Sequence, residues 1–209
     1  PYGWMNDPNG MFYKDGEYHL YYQYNPYGSM WGNMHWGHAK SKDLFKWEYL
    51  PIALYPDEVG TVFSGSCIVD TKNKYGLGDS TIIAFYTADK DKQRTMMAYS
   101  TDNGITFTRP SNQEIVYSDL KDLRDPKVIN FKDKHYVIVL AAGNRVNYFT
   151  TEDFKSYKWG SPFGEDEGEH GGVWECPDLF ELKYKDEEKW ILIVNINPGG
   201  HYEGSTTHY

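Results

Sequence analysis

His19-Leu20-Tyr21-Tyr22-Gln23-Tyr24 decides the fold, because the chain returns to it. Its counterparts are Ile82-Ile83-Ala84-Phe85-Tyr86-Thr87, Tyr136-Val137-Ile138-Val139-Leu140 and Trp190-Ile191-Leu192-Ile193-Val194. The four runs begin 54 to 63 residues apart. Each is short, apolar and rich in aromatic or β-branched side chains, the pattern of a buried strand and not of a helix. A polar turn precedes each: Lys14-Asp15-Gly16, Gly76 to Ser80, Lys132-Asp133-Lys134 and Lys185 to Glu188. After the first three, a further strand ends in a hydroxyl-x-Asp turn followed by an aromatic residue. These endings are Ser41-Lys42-Asp43 to Trp47, Ser100-Thr101-Asp102 to Phe107, and Thr151-Glu152-Asp153 to Tyr157 and Trp159. Short carboxylate and hydroxyl side chains bond their own backbone in such turns, and the aromatic is expected to pin the next strand.

Repeated units of about 50 residues built from short strands predict the blades of a β-propeller. A long β-sandwich with accidental similarity is the weaker reading of four such copies. The expected class is therefore all-β, with blade 1 over about 1–58, blade 2 over about 59–120, blade 3 over about 121–171 and part of a fourth over 172–209. A propeller truncated to about three and a half blades is expected, with no second domain.

The formal net charge is −9 and the isoelectric point about 5.2. Neither nucleic acid nor an anionic membrane surface is an expected partner, since both select basic patches. No run of 18 apolar residues occurs, and neither a membrane span nor a signal peptide is expected in these residues. The 19 Tyr and 7 Trp fit strand packing, with a few free to stack on sugar rings. Cys67 and Cys176 form no CxxC pair; one bridge between them is conceivable, and free thiols are the expectation. His35 and His38, three apart on a strand, point to opposite faces and make a poor metal pair. Pro198-Gly199-Gly200 lacks the Lys-Ser/Thr of a phosphate loop, and no G-x-S-x-G elbow occurs.

Three acidic sites stand out. Asp7 sits in Asn6-Asp7-Pro8-Asn9-Gly10, good turn chemistry flanked by Trp4 and Met5. Those large neighbours suggest a buried setting, with Asn6 orienting the carboxylate. Asp125 follows Arg124 and precedes Pro126. An ordinary ion pair at a strand start is the plain alternative to a clamp on vicinal sugar hydroxyls. Glu175 stands between Trp174 and Cys176, where poor solvation is expected to raise its pKa, as a general acid requires. All three are expected on the opening strand of their blade. The second blade opens instead with Val62-Phe63-Ser64-Gly65-Ser66, an apolar wall and a hydroxyl. Spaced carboxylates in rigid aromatic settings are the ingredients of a glycosidase.

The chain resembles glycoside hydrolase family 32, the invertase, inulinase and levanase group. The resemblance rests on Trp4-Met5-Asn6-Asp7-Pro8-Asn9-Gly10, Gln23-Tyr24-Asn25-Pro26, Trp36-Gly37-His38-Ala39, Phe63-Ser64-Gly65-Ser66, Arg124-Asp125-Pro126 and Trp174-Glu175-Cys176-Pro177-Asp178, in that order. It implies a five-bladed propeller and retaining hydrolysis of terminal β-linked fructofuranosyl units. By resemblance, Asp7 matches the nucleophile, Glu175 the acid/base and Asp125 the transition-state stabiliser. Arg124 matches a partner of the acid and the sugar, and Asn6, Gln23, Trp31, Phe63, Ser64 and Cys176 match the fructose subsite. The resemblance implies no metal and no organic cofactor, and sucrose or a fructan (inulin or levan) as the partner. It implies an extracellular or periplasmic setting, a cytoplasmic one staying open.

Gly171-Gly172-Val173 and Val194 to Gly200 look most like exo-acting members. A fructosyltransferase on the same scaffold, or a non-hydrolytic fructan-binding or inactive propeller fragment, are the alternatives. If retention holds, the Asp7 and Glu175 carboxyl groups are expected roughly 5–5.5 Å apart.

Overall fold

The structure is a computed structural model that describes residues 2–112, 114–116 and 118–198, and the backbone of 206–208. Gly199 and Gly200 of the exo-type stretch lie outside the described residues. The described residues contain strands and no helix, so the chain is all-β as expected. It forms two compact units, 1–117 and 118–209.

The first unit holds two four-stranded antiparallel meanders. One is β1 (Trp4–Lys14), β2 (Glu17–Asn25), β3 (His35–Ser41) and β4 (Glu48–Leu54). The other is β5 (Thr61–Val69), β6 (Ile82–Asp89), β7 (Gln93–Ser100) and β8 (Glu114–Val116). The second unit repeats the plan with β9 (Leu123–Phe131), β10 (His135–Ala142), β11 (Val146–Thr151) and β12 (Lys158–Phe163). Its other sheet joins β13 (Val173–Tyr184), β14 (Glu187–Asn197) and β15 (Thr206–His208). Four-stranded meanders in sequence order are propeller blades, the expected architecture.

The four recurring runs are the second strands: β2, β6, β10 and β14. A strand paired on both edges and covered on both faces has no polar side, which explains the continuous apolar sequence. Ile82 to Ala88 is buried at every position. In the first unit the two sheets pack face to face, with Tyr21, Trp36 and Leu54 against Val62, Ile82, Tyr86 and Met96. In the second, Val139 and Val146 meet Trp174, Leu192, Val194 and Ile196. Burying each such side chain stabilises by about 1.5–3 kcal/mol.

The hydroxyl-x-Asp endings close the third strands. Ser41 Oγ accepts the N–H groups of Asp43 and Leu44, and Asp43 Oδ1 accepts those of Phe45 and Lys46. Thr151 and Asp153 reproduce the pattern on Phe154, Lys155 and Ser156. Ser100 and Asp102 hold Gly104 and Thr106. Two of the aromatics that follow turn back on these turns. Trp47 Nε1 donates to Leu44 O and the Tyr157 hydroxyl to Phe154 O. Phe107 packs edge-on to Tyr21 of the neighbouring sheet, 5.6 Å away.

His38, on β3, is fully buried, with Nε2 3.0 Å from His19 Nδ1 and its ring against Tyr21. Burial pushes its pKa down to about 3, the neighbouring His19 adding to the shift. In the unfolded chain this imidazole titrates near 6.5. Below that pH the unfolded state takes up a proton that the folded state refuses, so stability is lost as pH falls. Between pH 7 and 5 the loss from His38 alone should be about 2 kcal/mol. Denaturant unfolding at the two pH values, wild type against His38→Gln, measures this directly; an equal acid response in both proteins would exclude His38 as its source.

Candidate active site

The first strand of each sheet breaks its ladder beside candidate site residues, and β1 does so a second time between Asn9 and Phe12. The register passes from Met5↔Tyr24 to Pro8↔Tyr22 in β1, and from Val62↔Ala88 to Gly65↔Tyr86 in β5. It passes from Arg124↔Ala141 to Lys127↔Val139 in β9, and from Glu175↔Asn195 to Asp178↔Ile193 in β13. In every case two residues face one. The extra pairs are Asn6-Asp7, Phe63-Ser64, Asp125-Pro126 and Cys176-Pro177. Such a bulge bends the strand and re-aims its side chains, which is why bulges gather at functional sites. The three acids do share the opening strand, but at successive offsets. Glu175 precedes its bulge, Asp125 begins one and Asp7 completes one.

Asp7 therefore lies inside β1 and not in a turn before it. The bulge accommodates the loop-like Asn-Asp-Pro sequence, because Pro8 brings no N–H to the ladder. In the first unit, Ser64 Oγ donates to Asp7 Oδ2 at 2.6 Å, joining the two bulges. Asn9 Oδ1 accepts the Gly65 N–H at 3.1 Å and ties the same strands one step further on. The oxygen of Asn6 takes the Trp4 indole N–H at 2.8 Å, so Ser64 rather than that oxygen steadies Asp7. Met5 is exposed, because alternation along the strand turns it away from the packed face.

Gln23, opposite the β1 bulge, is buried and donates to Val62 O at 3.1 Å. The Trp36 indole donates to Phe63 O at 3.0 Å. Trp31 meets Phe63 edge to face at 5.8 Å and is 58 % exposed. Its loop is held by Asn25, which donates to Met30 O and accepts the Tyr27 N–H. A half-exposed indole against Phe63, the residue before the serine that bonds Asp7, is a flat apolar face open to solvent. The structure thus brings Asn6, Asp7, Gln23, Trp31, Phe63 and Ser64 together in the first unit.

In the second unit the centre is Arg124. Its Nη2 donates to Glu175 Oε1 and its Nη1 to Asp122 Oδ1, both at 2.8 Å, while Nε lies 3.8 Å from Asp125 Oδ2. Burial lowers the Arg124 pKa, but the carboxylates of Asp122, Glu175 and Asp125 outweigh it and the net shift is upward. Asp125 is buried at φ 59° and Cys176 adopts φ 47°, left-handed conformations that cost of order 1–3 kcal/mol each. They support one another: the Cys176 N–H donates to Asp125 Oδ2 at 2.9 Å, with Sγ 3.6 Å from the same oxygen.

Glu175 is not walled in by its neighbours as expected. Trp174 is buried on the opposite face, its indole donating to Glu169 O. The Glu175 carboxylate, about a quarter exposed (24 %), takes Arg124 and, at 3.3 Å, Asn197 Nδ2. Asp122 and Asn197 escaped the sequence reading. Asp122 could have been found from its i,i+2 spacing to Arg124, which puts both on one face near the strand start. Asn197 could not, since only the β13–β14 register makes it a diagonal neighbour of Glu175. Cys67 is a buried thiol whose pKa burial raises, and neither it nor Cys176 is in a disulfide. Among the described residues no cluster of three or more His, Cys, Asp or Glu side chains could hold a metal ion.

The glycosyl hydrolases family 32 N-terminal domain model matches residues 1–209. A levanase of Bacillus subtilis is 49 % identical over 99 % of this chain and 32 % of its own length. Invertase 2 of Saccharomyces cerevisiae is 37 % identical over 99 % of this chain and 42 % of its own. The chain thus spans a third to a half of the curated relatives it matches. Two solved structures superimpose over 99 % of it. They are a Schwanniomyces occidentalis fructofuranosidase complexed with fructose (TM-score 0.92, 35 % identity, 43 % of that chain) and an Aspergillus awamori exo-inulinase (TM-score 0.90, 33 % identity, 47 %).

Gly65 sets how closely β5 approaches β6 beside Ser64. A Cβ there would meet Phe85 O at 2.0 Å and Tyr86 Cα at 2.7 Å, backbone atoms that cannot swing aside. Gly65→Ala should lower the unfolding free energy by about 3 kcal/mol, the upper end of overpacking costs. A denaturation midpoint unchanged from wild type would show that this spacing is not fixed.

Proposed function

Because the chain belongs to glycosyl hydrolase family 32, we propose that it supplies the fructosyl-cleaving centre of a retaining, exo-acting β-fructofuranosidase. The observation that carries the reading is the set of bulged first strands, which present Asp7 with a hydroxyl donor and Glu175 with a guanidinium. In the proposed cycle Asp7 attacks the anomeric carbon of a terminal fructosyl unit. Glu175 gives its proton to the departing glycosidic oxygen, and a fructosyl ester on Asp7 results. Glu175, now ionised, takes a proton from water, whose oxygen displaces the ester and restores Asp7. Asp125 accepts hydrogen bonds from sugar hydroxyls that tighten as positive charge grows on the ring. Ser64 orients Asp7, Trp31 and Phe63 offer an aromatic face, and Asn6, Gln23 and Cys176 complete the fructose subsite. The chemistry needs water as its only co-reactant, and sucrose and fructans are the proposed substrates. Secretion is proposed too, since a relative 36 % identical is an extracellular exo-inulinase of Aspergillus niger.

Kinetics of the full-length enzyme separate the acidic roles. Asp7→Asn should abolish turnover whatever the leaving group. Glu175→Ala should keep its first step on substrates with good leaving groups, with added azide rescuing the second. Asp125→Asn should lower kcat by about 10²–10³ with a smaller change in KM, a loss confined to the transition state. Azide rescue of Asp7→Asn, or a pure KM effect at Asp125, would overturn these roles. Product analysis on sucrose, inulin and levan tests the exo reading: free fructose should be the first product. Transfer to sugar acceptors in place of water would instead indicate a fructosyltransferase.

A further inference from the structure

The Arg124 guanidinium holds two carboxylates on separate nitrogens, and only one belongs to the proposed chemistry. We infer that Asp122 is a positioning residue that sets the working pH range of Glu175 by sharing Arg124 with it. The inference rests on the reading of Glu175 as the acid/base. Arg124 reaches Asp122 Oδ1 and Glu175 Oε1 at equal lengths of 2.8 Å, with its side chain only 12 % exposed. Buried to this degree, a guanidinium stays charged and seeks full pairing. Asp122 has its own anchor, because its backbone oxygen accepts the Gly143 N–H at 2.8 Å and Gly143 O accepts the Trp174 N–H at 2.7 Å. The same short bridge therefore fixes the start of β9 against the start of β13, where Glu175 follows Trp174.

A general acid must hold its proton until the leaving group claims it. An arginine serving Glu175 alone would favour the ionised form and weaken the acid. Asp122 opposes this twice: it draws guanidinium charge toward itself, and its own negative charge disfavours a second one nearby. Asp125 also faces Arg124, its Oδ2 3.8 Å from Nε while it takes the Cys176 N–H, and it is the carboxylate assigned to the sugar hydroxyls. Lys127 pairs with Asp178 at 2.7 Å. Asn197, from β14, is neutral, and the side chain of Glu169 bonds the N–H groups of His170 and Gly171. Asp122 is thus the carboxylate on Arg124 to which the proposed chemistry gives no part.

The test is the pH dependence of kcat/KM for sucrose in the full-length enzyme, compared among wild type, Asp122→Asn, Asp122→Glu and Glu175→Gln. Asp122→Asn should move the alkaline limb, which reports loss of the acid's proton, about 0.5–1 pH unit lower. The acid limb should stay in place, and Asp122→Glu should restore the wild-type alkaline limb. Glu175→Gln should lack that limb altogether. If it keeps the limb, Glu175 is not the proton donor and the underlying reading fails. If Glu175→Gln loses the limb while Asp122→Asn leaves it unmoved, the role given to Asp122 is wrong and the reading of Glu175 stands. Thermal melts check folding, and Asp122→Ser answers the same question if Asp122→Asn does not fold. Failure of both neutral variants to fold would make Asp122 a structural residue and overturn the inference.

Discussion

A bulge that sets two residues against one in the first strand of each sheet is the constraint on which the candidate chemistry depends. A regular strand would send Asn6 and Asp7, or Glu175 and Cys176, to strictly opposite faces. The bulges relax that alternation at Asn6-Asp7, Phe63-Ser64, Asp125-Pro126 and Cys176-Pro177. They carry a cost: a local loss of ladder bonding and, at Asp125 and Cys176, left-handed backbone. The cost is tolerable because each bulged strand pairs with a second strand built from the chain's most apolar residues. Opposite the bulges stand Gln23, Thr87, Leu140 and Val194, each buried. Stability and chemistry are thus assigned to adjacent strands of the same sheet.

That division explains what the sequence disclosed. Short apolar runs rich in aromatic and β-branched residues and bounded by polar turns favour strands over helices, so β2, β6, β10 and β14 were legible, and their recurrence favoured blades over a sandwich. The Ser41-x-Asp43, Ser100-x-Asp102 and Thr151-x-Asp153 endings were legible for a local reason, since their hydrogen bonds close within a few residues. Asp7, Asp125 and Glu175 were legible only as positions relative to those runs. The bulges themselves were not, because a two-to-one pairing depends on the partner strand. Asn6-Asp7-Pro8 consequently resembled a turn, although the chain keeps its extended course through it.

The surroundings of the carboxylates were the least legible feature. Sequence neighbours suggested that Trp174 and Cys176 would desolvate Glu175, but Trp174 is buried on the opposite face and the carboxylate meets an arginine. The groups that meet Glu175 come from 51 residues upstream and 22 downstream. Asp7 likewise meets Ser64, 57 residues away. Long-range pairing is what a sheet protein uses to build a site, and a linear reading supplies the participants without their contacts.

The two carboxylates proposed for catalysis are held by chemically different donors, and each donor suits its task. A neutral hydroxyl orients Asp7 through one oxygen without presenting a full positive charge to the atom that must attack. Glu175 changes charge twice in each proposed cycle, so its holder must keep its place when the carboxyl is neutral. Arg124 can do so because its planar fork offers separate nitrogens, one of which is bonded to Asp122. A lysine would present a single point charge to both carboxylates and would follow whichever was ionised. In the proposed cycle the bond to Asp122 would keep the guanidinium in place while Glu175 gives up and regains its proton, so that Glu175 returns to the same partner.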